Sequence, residues 1–366
     1  MVRRNEGIGH DKMRNFSGSY NPADVTFLIT PEEIPLITVA EKEELIREGR
    51  RHYSEVLSEE TPPSPEYFAA YRAALSANSV RLAQDIVLLS SALAERPTSP
   101  AGMALVSFAR AGTPIGVLLS RAFRRLGLKH FHYSISIVRD RGLDEAALDY
   151  ILYRHAPCDL VFIDGWTGKG AISMELRKSE FLKRKEVEPF LAVVADPAGQ
   201  ADLAATCEDY LIPSGILNGI VSGLISRTVI PNGLQAGQFH SCRELHELAP
   251  YDVSRSFVDQ IDKLSFNLPQ NQATRRPPAL RKERSAACAR LLATLQERYK
   301  LHDVNRIKPG IAEATRAVLR RQPREVLIAG ALNGELDHLR LLCSEREVPV
   351  HQSTSLEGYR AVAILE

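Results

Sequence analysis

The chain has 366 residues, 46 Lys plus Arg against 45 Asp plus Glu, 44% hydrophobic and 25% charged residues, which is the balance of a soluble globular protein and excludes a disordered or fibrous chain. No apolar run reaches the ~20 residues that cross a bilayer and the polar start lacks a signal-peptide core, so a cytoplasmic location with no membrane partner is expected. The five cysteines, Cys158, Cys207, Cys242, Cys288 and Cys343, are scattered without a CxxC pair, which argues against a disulfide framework or a zinc site.

In chain order, residues 1–100 read as a mainly helical extension. A short strand is expected over 24–30 and helices over 41–57 and 67–96, broken by Pro62, Pro63 and Pro65, which suit helix interiors poorly. From residue 103 strands and helices alternate. Strands are expected over 103–108, 131–138, 159–164, 190–195 and 210–213, and helices over 115–126, 145–155 and 171–185. The fold class is therefore α/β, with residues 101–268 forming a parallel sheet covered by helices on both faces. Residues 269–304 read as a basic linker followed by a helix over 281–301. Residues 305–366 read as a small α/β domain, with helices over 311–321 and 336–345 and strands over 325–329, 348–351 and 361–365. Between residues 275 and 325 there are 14 Lys plus Arg and 5 Asp plus Glu, a balance of +9 that leaves −8 for the rest. Such a basic segment suits either a solvated face or a nucleic-acid surface that displaces counterions from phosphates.

Two loops end strands in glycine with polar partners. The run over 160–172 passes from an apolar strand into Asp164, Gly165, Trp166, Thr167, Gly168, Lys169, Gly170 and Ala171. Glycines at this spacing let consecutive backbone N–H groups converge, and the helix starting near Ala171 adds its positive end, so the run reads as a phosphate cradle. The earlier loop holds Arg110, Ala111, Gly112 and Thr113, with a guanidinium fork and a hydroxyl at a helix start. Arg139 and Arg141 sit in a charged segment that reads as a flexible flap.

The order of these parts resembles the layout of type I phosphoribosyltransferases. The resemblance implies a pyrophosphate loop at Arg110 to Thr113, a hood at residues 139–144 and a phosphoribosyl-pyrophosphate loop at residues 164–171. Where that superfamily carries two adjacent acids, this chain has the single Asp164. More closely, Gly18-Ser19-Tyr20, Gly49-Arg50-Arg51-His52-Tyr53, the Ala111 to Gly116 run, His132-Tyr133-Ser134-Ile135-Ser136-Ile137 and Asp209-Tyr210-Leu211-Ile212-Pro213-Ser214 resemble the bacterial StiP family over residues 18–256. That family is associated with tellurium-resistance and stress gene neighbourhoods and has been taken both as a phosphoribosyltransferase and, by name, as a cysteine protease. The tail, with Lys308-Pro309-Gly310-Ile311-Ala312-Glu313 and the strand after it, resembles the Pelota-type RNA-binding domain. That likeness implies RNA contacts at Lys308, Gly310, Glu313, Arg316, Arg320 and Arg321.

The leading expectation from these likenesses is phosphoribosyl transfer from phosphoribosyl pyrophosphate (PRPP) to a base-like acceptor. In it, Asp164, Lys169, Arg139 and Arg141 carry catalysis, and Asp164 also holds Mg2+. Arg110, Ala111, Gly112, Thr113, Gly165, Thr167, Gly168, Gly170 and Ala171 bind the substrate. Two alternatives stand beside it. One is a thiol protease using the neighbouring His240 and Cys242. The other is a nucleotide- or RNA-binding stress protein without turnover. An oligomer is compatible with each.

Overall fold

The structure is a computed structural model and describes residues 16–268, 278–330 and 334–365. Its main sheet is parallel throughout. The strands are β1 (Thr26–Leu28), β2 (Met103–Phe108), β3 (His130–Ile135), β4 (Leu160–Trp166), β5 (Leu191–Ala195) and β6 (Leu203–Thr206), in the spatial order β1-β3-β2-β4-β5-β6. Ala104 pairs with Leu160 and Val193 with Asp164. All seven residues of β4 are buried, which is why its first four, Leu160 to Ile163, are continuously apolar and not alternating. Period two instead sorts them between two cores. Val161 and Ile163 join Leu105, Ala192 and Val194 on one face, while Leu160 and Phe162 join Ala104, Val106 and Val193 on the other.

The spatial order reverses between β2 and β4, because the strand after β2 lies on one side of it and the next on the other. Loops leaving the carboxyl ends of such a pair diverge and open a crevice. Those loops are the two glycine-containing runs singled out above.

Residues 16–100 are woven into this core and do not form a separate helical cap. Thr26–Leu28 is the edge strand paired with β3, and helix α1 (Pro65–Ala94) buries Leu82, Ile86, Leu89 and Leu93 completely. The prolines mark its start, with Pro65 in the first turn and the Ser64 hydroxyl accepting from the Tyr67 N–H at 3.1 Å. The sixth strand is Leu203–Thr206 and not the expected 210–213; Tyr210 is buried there, its hydroxyl donating to Asp85 Oδ2 at 2.7 Å. The helix expected over 171–185 is two, α2 (Ala171–Lys178) and α3 (Glu180–Arg184), because Ser179 leaves helical geometry to cap the second through Leu182 N–H.

Part of the expected basic linker, residues 269–277, lies outside the described residues. Beyond it helix α4 (Pro278–Tyr299) leads into a second sheet of β7 (Ile307–Pro309), β8 (Pro323–Ala329), β9 (Val350–Ser353) and β10 (Ala361–Leu365), in the order β7-β10-β8-β9. One face of β10 puts Val362 and Ile364 against Cys288, Leu291 and Leu295 of α4. The other puts Ala361, Ala363 and Leu365 with Ile311, Ala314 and Val318 of helix α5 (Ile311–Arg320), in the same apolar cluster as the main core. The C-terminal unit is thus packed on the core through α5.

Candidate functional site

The crevice at the carboxyl ends of β2 and β4 is roofed by the C-terminal unit, and a cavity of 330 Å³ lies between them. From the core come Arg110 and Ala111 after β2, Asp164 and Trp166 at the end of β4, the Thr167 to Ala171 loop, Arg139 and Arg227. From the C-terminal unit come Lys308, Glu313, Arg316, Arg320 and Arg321.

Close approach explains the glycines. A Cβ on Gly168 would sit 2.6 Å from Glu313 Cγ and 3.2 Å from Pro309 O, and one on Gly112 would sit 2.3 Å from Ile163 O. Gly170 precedes α2 with φ 82° and no side chain caps that helix, whose first residues, Ala171 to Ser173, line the cavity. The roof is tied down by polar contacts. Tyr359 donates to Gly168 O at 2.8 Å, Lys169 Nζ to Val304 O at 2.6 Å, and Trp166 Nε1 to Glu313 Oε1 at 3.2 Å. The Arg316 guanidinium lies 4.6 Å from the Trp166 ring centre. Arg320 donates to Asn218 Oδ1 through Nε at 3.1 Å and Nη2 at 2.6 Å.

Burial sets the ionisation of the cavity wall. It pushes Asp164 up to about 7, against the pull of the Gly165 N–H and of Arg316. Burial, reinforced by Lys308 and Arg139, brings Lys169 down to about 7, and burial brings Lys308 down to about 8. Three guanidinium nitrogens of the wall, Arg110 Nη2, Arg227 Nη1 and Arg316 Nε, are shielded from solvent without a hydrogen-bond partner. Cationic side chains so placed are suited to holding a multiply charged anion.

The residues predicted from the sequence are placed unevenly. Arg110, Ala111, Arg139, Asp164, Thr167, Gly168, Lys169, Gly170 and Ala171 line the cavity together with Lys308, Glu313, Arg316, Arg320 and Arg321. Thr113 turns into the core, its hydroxyl 2.8 Å from Ser134 Oγ. Gly112 and Gly165 lie behind the wall, where their lack of a side chain lets the two loops meet. Arg141 points to Glu55 Oε1 at 3.2 Å and stays away from the cavity. Gly310, with φ 101°, precedes α5 and donates its N–H to Ala361 O at 2.8 Å. Among the described residues no group of three or more His, Cys, Asp or Glu is arranged to hold a metal, and Asp164 has only its own Gly165 N–H, at 2.8 Å, as a hydrogen-bond partner. Sequence patterns assign no site role to Arg227, more than fifty residues from either loop, or to Asp209, which stands in a family motif and holds the start of α5.

The thiols lie elsewhere. Cys242 is fully buried and its thiol is pushed up to about 12 by burial, while His240 Nδ1 is engaged with Ser136 Oγ at 2.8 Å. Cys288 and Cys343 are buried with raised thiols as well. Cys158 is exposed, in the turn Pro157–Asp159 ahead of β4. Its Sγ lies 3.9 Å from Asp159 Oδ1, and His155 stands two residues ahead of the turn, its Nε2 3.1 Å from the Tyr133 hydroxyl. Asp159 accepts from the Ser99 N–H and hydroxyl, each at 2.6 Å, and from the Ala156 N–H at 2.9 Å; these bonds outweigh burial and hold its carboxyl below the usual range. Burial lowers His155 while the charge of Asp159 raises it. The spacing His155-x-x-Cys158-Asp159 was legible in the sequence and was missed in favour of His240 and Cys242.

Fold and site define an α/β protein whose parallel sheet is roofed at its carboxyl edge by a small module, and residues 286–366, which include that module, match the PELOTA RNA binding domain. The model of the family described as "Tellurite-like stress resistance cysteine protease StiP" matches residues 18–262, and the chain belongs to the StiP family. It is similar to a protein of Acinetobacter baylyi (strain ATCC 33305 / BD413 / ADP1) named cysteine protease StiP, at 39% identity over 366 residues, 96% of this chain and 95% of that one. These findings correct the leading expectation. Family and relative are named for thiol proteolysis, so the assignment as a phosphoribosyltransferase acting on PRPP is withdrawn, and with it the magnesium invoked for that chemistry. No helix among the described residues is long and apolar enough to cross a membrane.

Proposed function

We propose that the chain is a stress-response cysteine peptidase with Cys158 as nucleophile. The reaction class is supported by the name of the relative; the residue is supported by the exposure of Cys158 beside the Asp159 carboxylate, with His155 three residues before it in the chain. His155 would take the thiol proton as Sγ attacks a peptide carbonyl, and Asp159 would stabilise the resulting imidazolium. The amine leaves with that proton, and water then hydrolyses the thioester. A fluorogenic peptide library is cleaved by the unmodified chain and not by Cys158→Ser on this reading, with Cys207→Ser retaining activity. Equal turnover by Cys158→Ser, or none by the unmodified chain, would sink it.

RNA binding is a second reading, favoured by the match of residues 286–366 and by the basic character of that segment. The cations expected to meet RNA largely line the cavity, so phosphates would be met instead by exposed Arg298, Lys300, Arg306 and Arg324. Arg298 and Arg324 flank the Tyr299 ring at 5.2 and 5.5 Å, which offers a stacking surface between two charges. Affinity for single-stranded RNA should fall with salt and fall further in Arg298→Gln plus Arg324→Gln; an affinity indifferent to both would exclude this surface.

A further inference from the structure

We infer that the cavity between the core and the C-terminal unit binds a compact anion carrying two or more linked phosphate groups. This goes beyond either reading above and invokes no transfer chemistry.

Charge and burial carry the inference. Nine lysine and arginine side chains line the cavity against two carboxylates, Asp164 and Glu313, so the wall is far from neutral. Arg110 does have a partner, Glu60 at 2.5 Å, yet its Nη2 remains unpaired with a side chain only 2% exposed. Arg227 Nη1 and Arg316 Nε are shielded and unpaired in the same wall. Buried donors of this kind are ordinarily satisfied, and three charged ones on side chains that line one cavity call for acceptor oxygens that the chain itself does not supply. They come from both halves: Arg110 and Arg227 from the core, Arg316 from α5. A ligand that spans them therefore needs more than one anionic group.

Size selects the class. A partly open cavity of 330 Å³ between the core and the C-terminal unit has room for a diphosphate or triphosphate group and is small for a polynucleotide strand. The uncapped start of α2, with Ala171 and Ile172 in the wall, adds backbone donors suited to phosphate oxygens. Lys169 and Lys308, brought down to about 7 and about 8, would regain their protons beside such a ligand. The shared chemistry is the linked phosphates, whether free or attached to a nucleoside.

Calorimetry on the full chain at pH 8, in two buffers of different ionisation enthalpy, tests this with orthophosphate, pyrophosphate, tripolyphosphate, ATP and a twelve-nucleotide RNA. Pyrophosphate, tripolyphosphate or ATP should bind saturably, at least tenfold more tightly than orthophosphate, with net proton uptake that is reduced in Lys169→Met. Tighter binding of ATP than of tripolyphosphate assigns the source to a nucleotide, and equal binding assigns it to the phosphates alone. Arg227→Met and Arg316→Met should each weaken binding tenfold or more. Should the latter fail to fold, Arg139→Gln, at the cavity mouth with its side chain 26% exposed, replaces it with the same expectation. No saturable binding by the linked phosphates, affinities unchanged in these variants, or displacement by the RNA would overturn the proposal.

Discussion

Asp209 caps the helix that begins at Ile311, across more than a hundred residues of sequence. Its Oδ1 and Oδ2 accept from the Ile311 N–H at 3.0 and 3.2 Å, and Oδ2 also takes the Arg360 N–H at 2.7 Å. A side chain just after the last strand of the main sheet thus satisfies one orphan donor at the first turn of α5 and ties the residue before strand β10 to it. Removing it should loosen the C-terminal unit first. Asp209→Ala is expected to cost about 2 kcal/mol, seen as a lower denaturation midpoint and earlier proteolysis within the C-terminal unit than within the sheet. Uniform loss of protection in both units would show that they unfold together.

Gly168 provides a sharper test of the same junction, because its missing side chain makes room for Glu313 Cγ at 2.6 Å. Gly168→Ala should destabilise by roughly 1–3 kcal/mol through overpacking. Glu313→Ala removes the clashing atom, so the double variant should recover part of that loss, and the double-mutant cycle reads the coupling directly. Simple additivity would show that the two residues do not meet in solution.

The parallel sheet and both glycine loops were legible because long apolar runs and Gly spacing are local signals. The edge strand Thr26–Leu28 was visible as a short apolar stretch, but nothing local to it tells that it pairs with Tyr133 to Ile135. The sixth strand was misplaced because Leu203 to Thr206 is only partly buried and weakly apolar, whereas Tyr210 to Ile212 is apolar and buried without being a strand. The site was half legible for a similar reason. Core loops and tail cations were each recognised, yet their meeting depends on how α5 docks, and residues such as Arg227 and Asp209 acquire their roles only from that docking. The likeness of the loops to a phosphate cradle also misled the choice of reaction, since such a likeness points to a ligand chemistry and not to a transfer.

Asp164 should give the stability of the protein an unusual pH dependence. Burial raises it to about 7, so between about pH 4 and pH 7 the folded chain keeps a proton that the unfolded chain has released. This contribution favours folding at low pH and is lost progressively as pH rises to 7. Asp164→Asn carries no such proton, so its stability relative to the unmodified chain should rise across that interval, by at most roughly 4 kcal/mol. Urea unfolding at pH 4.5, 6 and 7.5 measures it. A constant difference would mean that Asp164 titrates normally.

Thiol reactivity separates the candidate nucleophiles before any substrate is known. Cys158 is exposed and should react first with a disulfide reagent, Cys207 more slowly. Cys242 and Cys343, both buried and pushed up to about 12, have a thiolate fraction on the order of 10⁻⁴ at pH 8 and should react only on unfolding. Mass mapping of the modified peptides gives the order. Early labelling of Cys242 would mean that the segment around it opens in the native state and would return His240 and Cys242 to consideration.

Trp166, the single tryptophan, reports on the junction because the residue is only 9% exposed and its side chain reaches Glu313 and Arg316 of α5. Two roles of the side chain can be separated by substitution. Trp166→Phe keeps an aromatic face for Arg316 but loses the N–H that reaches Glu313 Oε1 at 3.2 Å, and should cost about 1 kcal/mol. Trp166→Ala also empties the ring's volume and should cost about 3–5 kcal/mol. In the unmodified chain the emission should be blue-shifted and move to the red when α5 undocks, so Asp209→Ala should show this shift at denaturant concentrations where the circular dichroism of the main sheet is still intact. Coincident transitions by the two probes would mean that the core and the C-terminal unit form one cooperative unit, with the ring serving as part of their common core.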